Sequence, residues 1–307
     1  MELDKIARDM LVTIADLHKV PEGAYNLRLN GKGVDRKSSA NIDIVPKKDK
    51  PGIDIIIKPG TKNESVHIPV LLMESGLSDM VYNDFFVGSN ADVTIIAGCG
   101  IHNCGDQDSS HNGIHSFHLE SGAKVKYVEK HYGEGDGNGK KILNPETYFQ
   151  LGENAFLEME TTQIKGVDST ERKTGGSLSN GAKVVITEKI MTHGKQFAKT
   201  LFEVNLDGEH SSANVISRSV AKDSSRQEFV ASIKGNAPCY GHSECDAIIM
   251  DKAVVTAIPK IEANNIDAQL VHEAVIGRIA GEQLDKLMTL GLTEKEAEEQ
   301  IIAGFLK

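Results

Sequence analysis

The chain has 307 residues, with 34 Lys+Arg against 44 Asp+Glu for a formal charge of -10, no Trp and 5% aromatics. An acidic balance repels phosphate backbones and argues against a nucleic-acid partner, and no apolar run reaches the roughly 18–20 residues of a membrane helix. The start, Met-Glu-Leu-Asp, lacks the basic residues and apolar stretch of a signal peptide, so the expectation is a cytoplasmic protein whose four cysteines stay reduced.

Leu3, Ile6, Ala7, Met10, Leu11, Ile14 and Leu17 recur at spacings of three and four, which predicts an amphipathic helix ending near His18, ahead of Pro21. From Gly23 to Gly76 the pattern changes to short β-branched runs, residues 41–45 and 52–57, broken by Lys, Pro and Gly. The middle of the chain repeats. Ala91, Ala123, Ala155, Ala182 and Ala213 each follow a small polar turn and open a stretch of alternating apolar and polar residues, at spacings of 32, 32, 27 and 31. Alternation with period two places one set of side chains inside and the other outside. A period near thirty without helical spacing points to a solenoid, whereas a propeller blade needs roughly forty residues and aromatic motifs. Two coils of half the period, each with two short strands, predict a mainly β chain folded as a flattened parallel β-helix; a β-sandwich with coincidental spacing is the alternative.

The β pattern runs to about Ala268, after which helical spacing returns. Gly281 to Leu290 reads as one helix closed by Gly291, and Thr293-Glu294-Lys295-Glu296 is a capping box opening a second, with Ala297, Ile301, Ile302 and Phe305 on its apolar stripe. This terminal hairpin is either a cap for the solenoid's open end or a docking surface. The expected organisation is an N-terminal helix and lead-in (1–34), a β-helix core (35–268) and a C-terminal helical subdomain (269–307).

Familiar nucleotide and hydrolase motifs fail. Arg36 stands where Gly31-Lys32-Gly33 would need glycine to bind a dinucleotide, Gly139-Lys140 lacks the rest of a phosphate loop, and Ile276 replaces the second histidine of a zinc-protease helix after His272-Glu273. Gly241-His242-Ser243-Glu244-Cys245 ends in Cys where a nucleophile elbow has Gly. Two constellations remain. Cys99, His102 and Cys104, followed by His111, His115 and His118, offer soft and borderline ligands for zinc or iron, or else form a polar loop with incidental histidines. Cys245 with His272-Glu273 could hold sulfur or iron, or Cys245 is a buried inert thiol. A carbohydrate-active β-helix enzyme is a further class, disfavoured by scarce aromatics and the absent export signal.

From Cys245-Asp246-Ala-Ile-Ile-Met250 through Pro259, Val271-His272-Glu273-Ala274, Gly277-Arg278-Ile279, Glu282-Gln283-Leu284 and Gly291-Leu292, the sequence resembles the SufB/SufD family of iron–sulfur cluster assembly scaffolds. The resemblance spans the repeats and the C-terminal helices and is strongest over the last 65 or so residues. It implies a right-handed, flattened parallel β-helix with a C-terminal helical subdomain. His272-Glu273-Ala274 is of the SufB type, where SufD has His-Gly-Ala. The resemblance assigns Cys245 as sulfur acceptor or cluster ligand, Glu273 as iron or cluster ligand, and His272 as a helper or further ligand. It implies a non-enzymatic scaffold with a transient iron–sulfur cluster and no tightly bound cofactor. Its implied partners are a SufC-type ABC ATPase, a sulfur donor protein, and a second scaffold subunit in a homodimer or heterodimer through the β-helix. ATPase docking falls to Arg278, Gln283, Leu284, Leu287 and Gly291. The sequence departs from SufB in lacking its long N-terminal region with clustered cysteines, in Asp285-Lys286-Leu287 where the family carries aromatics, and in Leu290 where an Arg precedes the Gly.

Overall fold

The computed structural model describes residues 4–19 and 21–306; Leu3 of the helical stripe lies outside them. A corner sets the repeat. Asn90, Gly122, Asn154, Gly181 and His210 take left-handed backbone angles, φ 57°, 68°, 55°, 65° and 59°, a region that Gly and Asn enter at least cost. The residue after each, Ala91, Ala123, Ala155, Ala182 and Ser211, is buried and donates its N–H to the carbonyl three residues back. Ser211 therefore fills the fifth corner, where the repeat reading placed Ala213. Its hydroxyl donates to the Gly208 carbonyl at 2.7 Å, which lets a polar residue sit there buried. Ala213 stands two residues on, beside Val184.

Helix α1 (Lys5–Ala15) leads into a hairpin of β1 (Ala24–Leu29) and β2 (Lys32–Lys37), then an antiparallel pair, β3 (Ile42–Pro46) and β4 (Gly52–Ile57). The chain next winds through β5 (Lys62–Leu72), β6 (Ser78–Val87), β7 (Asp92–His102), β8 (Ser109–Leu119), β9 (Lys124–Glu134), β10 (Lys141–Leu143), β11 (Glu146–Leu151) and β12 (Phe156–Lys165). It continues through β13 (Ser169–Leu178), β14 (Lys183–Thr192), β15 (Phe197–Leu206), β16 (Ser212–Ala221), β17 (Arg226–Gly235), β18 (Tyr240–Ile249), β19 (Val254–Ala263) and β20 (Gln269–Gly277). Helices α2 (Gly281–Thr289) and α3 (Glu294–Phe305) end it.

Successive strands alternate between two ten-stranded sheets: β2-β1-β5-β7-β9-β12-β14-β16-β18-β20 in the first, and β19-β17-β15-β13-β10-β8-β6-β4-β3, with β11 beside β8 and β13, in the second. Apart from the two antiparallel pairs every pairing is parallel. This is the flattened β-solenoid. One correction concerns its coil: each repeat of about thirty residues is a single turn with two strands of about ten residues, not two half-length coils. The ladder also continues past Ala268 as β20. Leu270 and His272 on that strand are partly buried, with exposed residues between them, an alternation too weak to distinguish from helical spacing by hydropathy.

The core is the space between the sheets, filled by stacked side chains such as Val93, Val125, Leu157 and Val184. Helix α1 lies on the outside of the first sheet. Met10, Leu11 and Ile14 bury there, each worth roughly 1.5–3 kcal/mol. Gly98 is required beneath it, since a Cβ would stand 2.4 Å from the Ile14 carbonyl oxygen. The Thr293 capping box forms as the sequence predicts. In the terminal hairpin, Ile302 of α3 and Leu306 just after it bury against Val220, with Met191 and Ile248 packed alongside. That cluster holds no residue of β19 or β20, so the hairpin leaves the final coil uncovered.

Candidate functional site

The parallel pairing of β18 with β20 sets Ser243 beside His272, Glu244 beside Glu273 and Cys245 beside Ala274. Strand alternation then divides these residues. Cys245 is 1% exposed and belongs to the core, whereas the Glu273 side chain is 65% exposed on the outer face. The structure brings Cys245, His272 and Glu273 onto adjacent strands but does not bring thiol and carboxylate together.

On the outer face Glu273 has company that the sequence motif did not name. His242, Glu244 and Glu273 each offer one ligand atom, all within 4.8 Å of one another. His242 Nδ1 lies 2.8 Å from Asn214 Oδ1, and with that oxygen as acceptor the Nδ1 carries the proton. The Nε2 lone pair then faces Glu273 Oε2 at 3.4 Å. Two electron-rich atoms in this arrangement want a proton or a cation between them. Burial and the neighbouring Asp246 carboxylate both push the Glu244 carboxyl up. One imidazole and two carboxylates form a mixed nitrogen and oxygen donor set suited to a borderline divalent metal such as ferrous iron. The sequence signal was there: His242-x-Glu244 spans two positions of a strand and must share a face.

On the inner face His272 Nδ1 is 2.6 Å from Ser243 Oγ, and burial lowers its pKa. Burial, then the charges of Glu188 and Asp246, push the Cys245 thiol up to about 12, so it is held neutral. Ser217 stands between Glu188 and Cys245 in the same inward column and contacts Glu188 at 3.0 Å. Further along, Arg172 from the second sheet pairs with Glu129 and lies 3.7 Å from Glu188. Burial disfavours the charge on Glu129, but Arg172, His131 and His115 together outweigh it and hold the carboxyl well below the usual range. For Glu188 burial wins and the pKa rises. No local pattern announces this buried ion cluster, because its members come from three strands far apart in the chain.

The region from Cys99 to His118 separates rather than converging. Cys99 packs inward with Val70, Leu72 and Ile101, while Cys104 is exposed on the turn after β7 and His102 Nε2 lies 3.2 Å from it. Among the described residues, His242, Glu244 and Glu273 are the one group of three or more His, Cys, Asp or Glu with metal-holding geometry. His111 and His115 depart from the polar-loop reading. They sit on β8, buried, with His111 3.1 Å from Asp79 and His115 2.8 Å from the Tyr127 hydroxyl. His118 faces out and stacks on Phe86. The residues expected to dock an ATPase cluster around α2, which buries none of its side chains; Arg278 donates to the Asp251 carbonyl, and Leu284 and Leu287 are partly buried.

Residues 79–305 match the family model for the SufBD core domain of the SUF system of iron–sulfur cluster assembly. The chain belongs to the SufBD family. It is 27% identical over 263 residues to an iron–sulfur cluster assembly SufBD family protein of Methanothermobacter thermautotrophicus, covering 83% of this chain and 62% of that one. A SufBD family protein of Methanocaldococcus jannaschii is 26% identical over 288 residues, 93% of this chain and 86% of that one. The Bacillus subtilis protein SufB is 32% identical over 102 residues, 32% of this chain and 22% of its own. The chain thus spans 62% and 56% of the length of two archaeal relatives it matches well. No helix among the described residues of this SufBD protein is long and apolar enough to cross a membrane.

Proposed function

We propose that this SufBD protein is a cytoplasmic, non-enzymatic scaffold that receives iron and sulfur for new clusters, working with a SufC-type ABC ATPase and a sulfur donor. The observation that carries the reading is the outer-face group of His242, Glu244 and Glu273 on the strands that also hold Cys245 and His272. The outer group supplies oxygen and nitrogen donors for arriving iron. Cys245 lies one residue away on the inner face, neutral and protected until the sheet edge moves. Two further features support a movable, partnered end. The last coil presents Val254, Ile258, Ile261, Val271, Val275 and Ile276 as exposed apolar residues, and β19 and β20 have free edges among the described residues. A second scaffold subunit, identical or related, would cover both. ATP-driven movement of α2 and α3 would then open that interface and admit iron and sulfur to Cys245.

The test is anaerobic reconstitution with the ATPase, ferrous iron and sulfide. The parent complex should develop visible cluster absorbance, and Glu273→Ala and His242→Ala should weaken ferrous-iron binding about tenfold or more. If Cys245→Ser and Glu273→Ala both assemble cluster as well as the parent, the reading is wrong. The depth of Cys245 favours one alternative, an adaptor that docks the ATPase without holding a cluster. A complex that retains the ATPase yet never acquires absorbance would select it.

A further inference from the structure

Helices α1 and α3 both pack on the outer face of the first sheet, and among the described residues no helix lies on the outer face of the second. On that second face Ile56, Phe86 and Tyr148 are each more than 40% exposed, on β4, β6 and β11. Parallel register sets them in two rows across the sheet. One row runs Ile56, Phe86, His118, Gln150 and Ser177. The other runs Ser116, Tyr148, Gly175 and Glu203. Two depressions of about 590 and 460 Å³ follow these rows and share His118, Gln150 and Ser177, so they form one continuous groove. A contiguous apolar and aromatic surface of this kind marks an interaction site.

At one end of the groove Gly175 stands between Tyr148 and Glu203. A Cβ there would clash with the Glu203 carbonyl oxygen and stand 3.2 Å from the Glu203 Cβ, so the position stays bare. The result is a slot floored by backbone, roughly 9.5 Å between the strands that form its walls. The Tyr148 hydroxyl donates to Glu146 at 2.6 Å, and Glu146 pairs with Lys173 at 3.3 Å, which fixes the ring and neutralises that lysine. The bond to Glu146, then burial and the charges of Glu146 and Glu203, push the Tyr148 hydroxyl up to about 12. The phenol therefore stays protonated while donating to a carboxylate, and its ring is electron-rich. Lys173 and Lys199 are taken by Glu146 and Glu228, which leaves Glu203 exposed and without an ion pair among the described residues. An aromatic wall facing an unpaired carboxylate suits a guanidinium, which stacks on the ring and donates two N–H groups to the acid. At the other end the Phe86 and His118 rings stack at 5.1 Å and 10°, a platform for a third ring.

We propose that this groove docks an extended segment of a partner protein, with an arginine in the slot between Tyr148 and Glu203 and an aromatic residue about four positions away on Phe86 and His118. The spacing follows from the sheet. Slot and platform lie two to three strands apart and two residues along, roughly 14 Å, which an extended chain at about 3.3 Å per residue covers in about four residues. An even separation turns both side chains towards the sheet. Charge points the same way: the chain carries -10 overall, and the free group in the slot is a carboxylate. The groove lies on the opposite sheet from His242, Glu244 and Glu273, so a segment seated in it leaves that group open.

The chain has no Trp, so an indole placed in a probe reports alone. The probes are acetyl-Arg-Ser-Gly-Ser-Trp-amide and its reverse, acetyl-Trp-Ser-Gly-Ser-Arg-amide, each held dilute while the full chain is titrated and indole fluorescence is read. One of the two should bind saturably. Glu203→Gln and Phe86→Ser should each weaken it about tenfold or more, and Tyr148→Leu about threefold. Citrulline in place of the probe's arginine should match the Glu203→Gln loss in the parent and add little to it in Glu203→Gln, a coupling that lost structure would not produce. Spacers one residue shorter or longer should bind about fivefold more weakly, since they turn one anchor away from the sheet. No saturation of either probe by about 1 mM protein overturns the proposal. Binding that survives unchanged in both Glu203→Gln and Phe86→Ser overturns it too, as does equal binding whatever the spacing. Argininamide competing as well as the whole probe overturns the protein partner in favour of a small guanidinium ligand.

Discussion

Glu129, Thr161, Glu188, Ser217, Cys245 and Ala274 form one inward column of the first sheet, and its two halves handle burial differently. The first half carries two carboxylates and depends on Arg172 reaching across from the second sheet. The second half carries a hydroxyl, a thiol and a methyl group, none of them in an ion pair among the described residues. A solenoid interior accepts charge only where the facing sheet supplies its partner. Where none is supplied the groups stay neutral, Cys245 included, and the ionic chemistry moves through the sheet to His242, Glu244 and Glu273 on the outside.

The most severe test of this contrast is Arg172→Met, which strands Glu129 in the core. It should cost about 3–5 kcal/mol, read from urea unfolding. Cys245→Ala, in the neutral half, should cost no more than about 1–2 kcal/mol. Equal losses would break the comparison.

Acid comes next. Burial lowers His115 from an ordinary 6.5 to about 4, so the folded protein keeps this ring neutral. Below pH 6.5 the unfolded chain takes up a proton that the folded one refuses. Its contribution to stability is therefore complete above pH 6.5 and lost as pH falls towards 4, up to about 3 kcal/mol. His115→Gln should flatten that slope in unfolding midpoints measured between pH 7 and pH 4.5. The depressed Glu129 carboxyl acts in the same direction, but only below about pH 4.5, where the unfolded carboxyl begins to protonate. An unchanged slope in His115→Gln would show that the ring is not held neutral.

The smallest effect separates the two carboxylates. Glu188 is raised by burial, so its folded form favours the proton, and its contribution weakens as pH rises above its ordinary value. Glu188→Gln at neutral pH should change stability by under about 1 kcal/mol, keeping a neutral partner for Ser217. A loss of several kcal/mol would place Glu188 on the same footing as Glu129.

The solenoid was legible because its corners are written locally. Asn or Gly in a left-handed position followed by a small residue marks four of the five corners, with His210 at the fifth, and strand alternation is visible in Ala91-Asp92-Val93-Thr94-Ile95 itself. Coil length was not legible, since two ten-residue strands and four short ones carry the same alternation. The polar interior of β8 was hidden for a related reason. His111 and His115 read as loop residues, because their partners lie on other strands, Asp79 and Asn83 on the adjacent β6 and Tyr127 on the facing sheet. At the site, the motif around Cys245 and His272-Glu273 found the right strands. It could not say that the thiol faces in and the carboxylate out, a matter of register between residues 28 apart.

What the sequence determined by itself was the repeat, the helices at either end and the residues carrying the SufBD resemblance, all set by local pattern. What only the tertiary structure decided was which side chains meet. Parallel stacking joins residues a full coil apart, as in His102 with Glu134 and Glu244 with Glu273, and the facing of the two sheets brings Arg172 to Glu129. Period-two geometry tells each residue which face it takes, but the partner it finds there depends on register across the coils, and no local pattern encodes that.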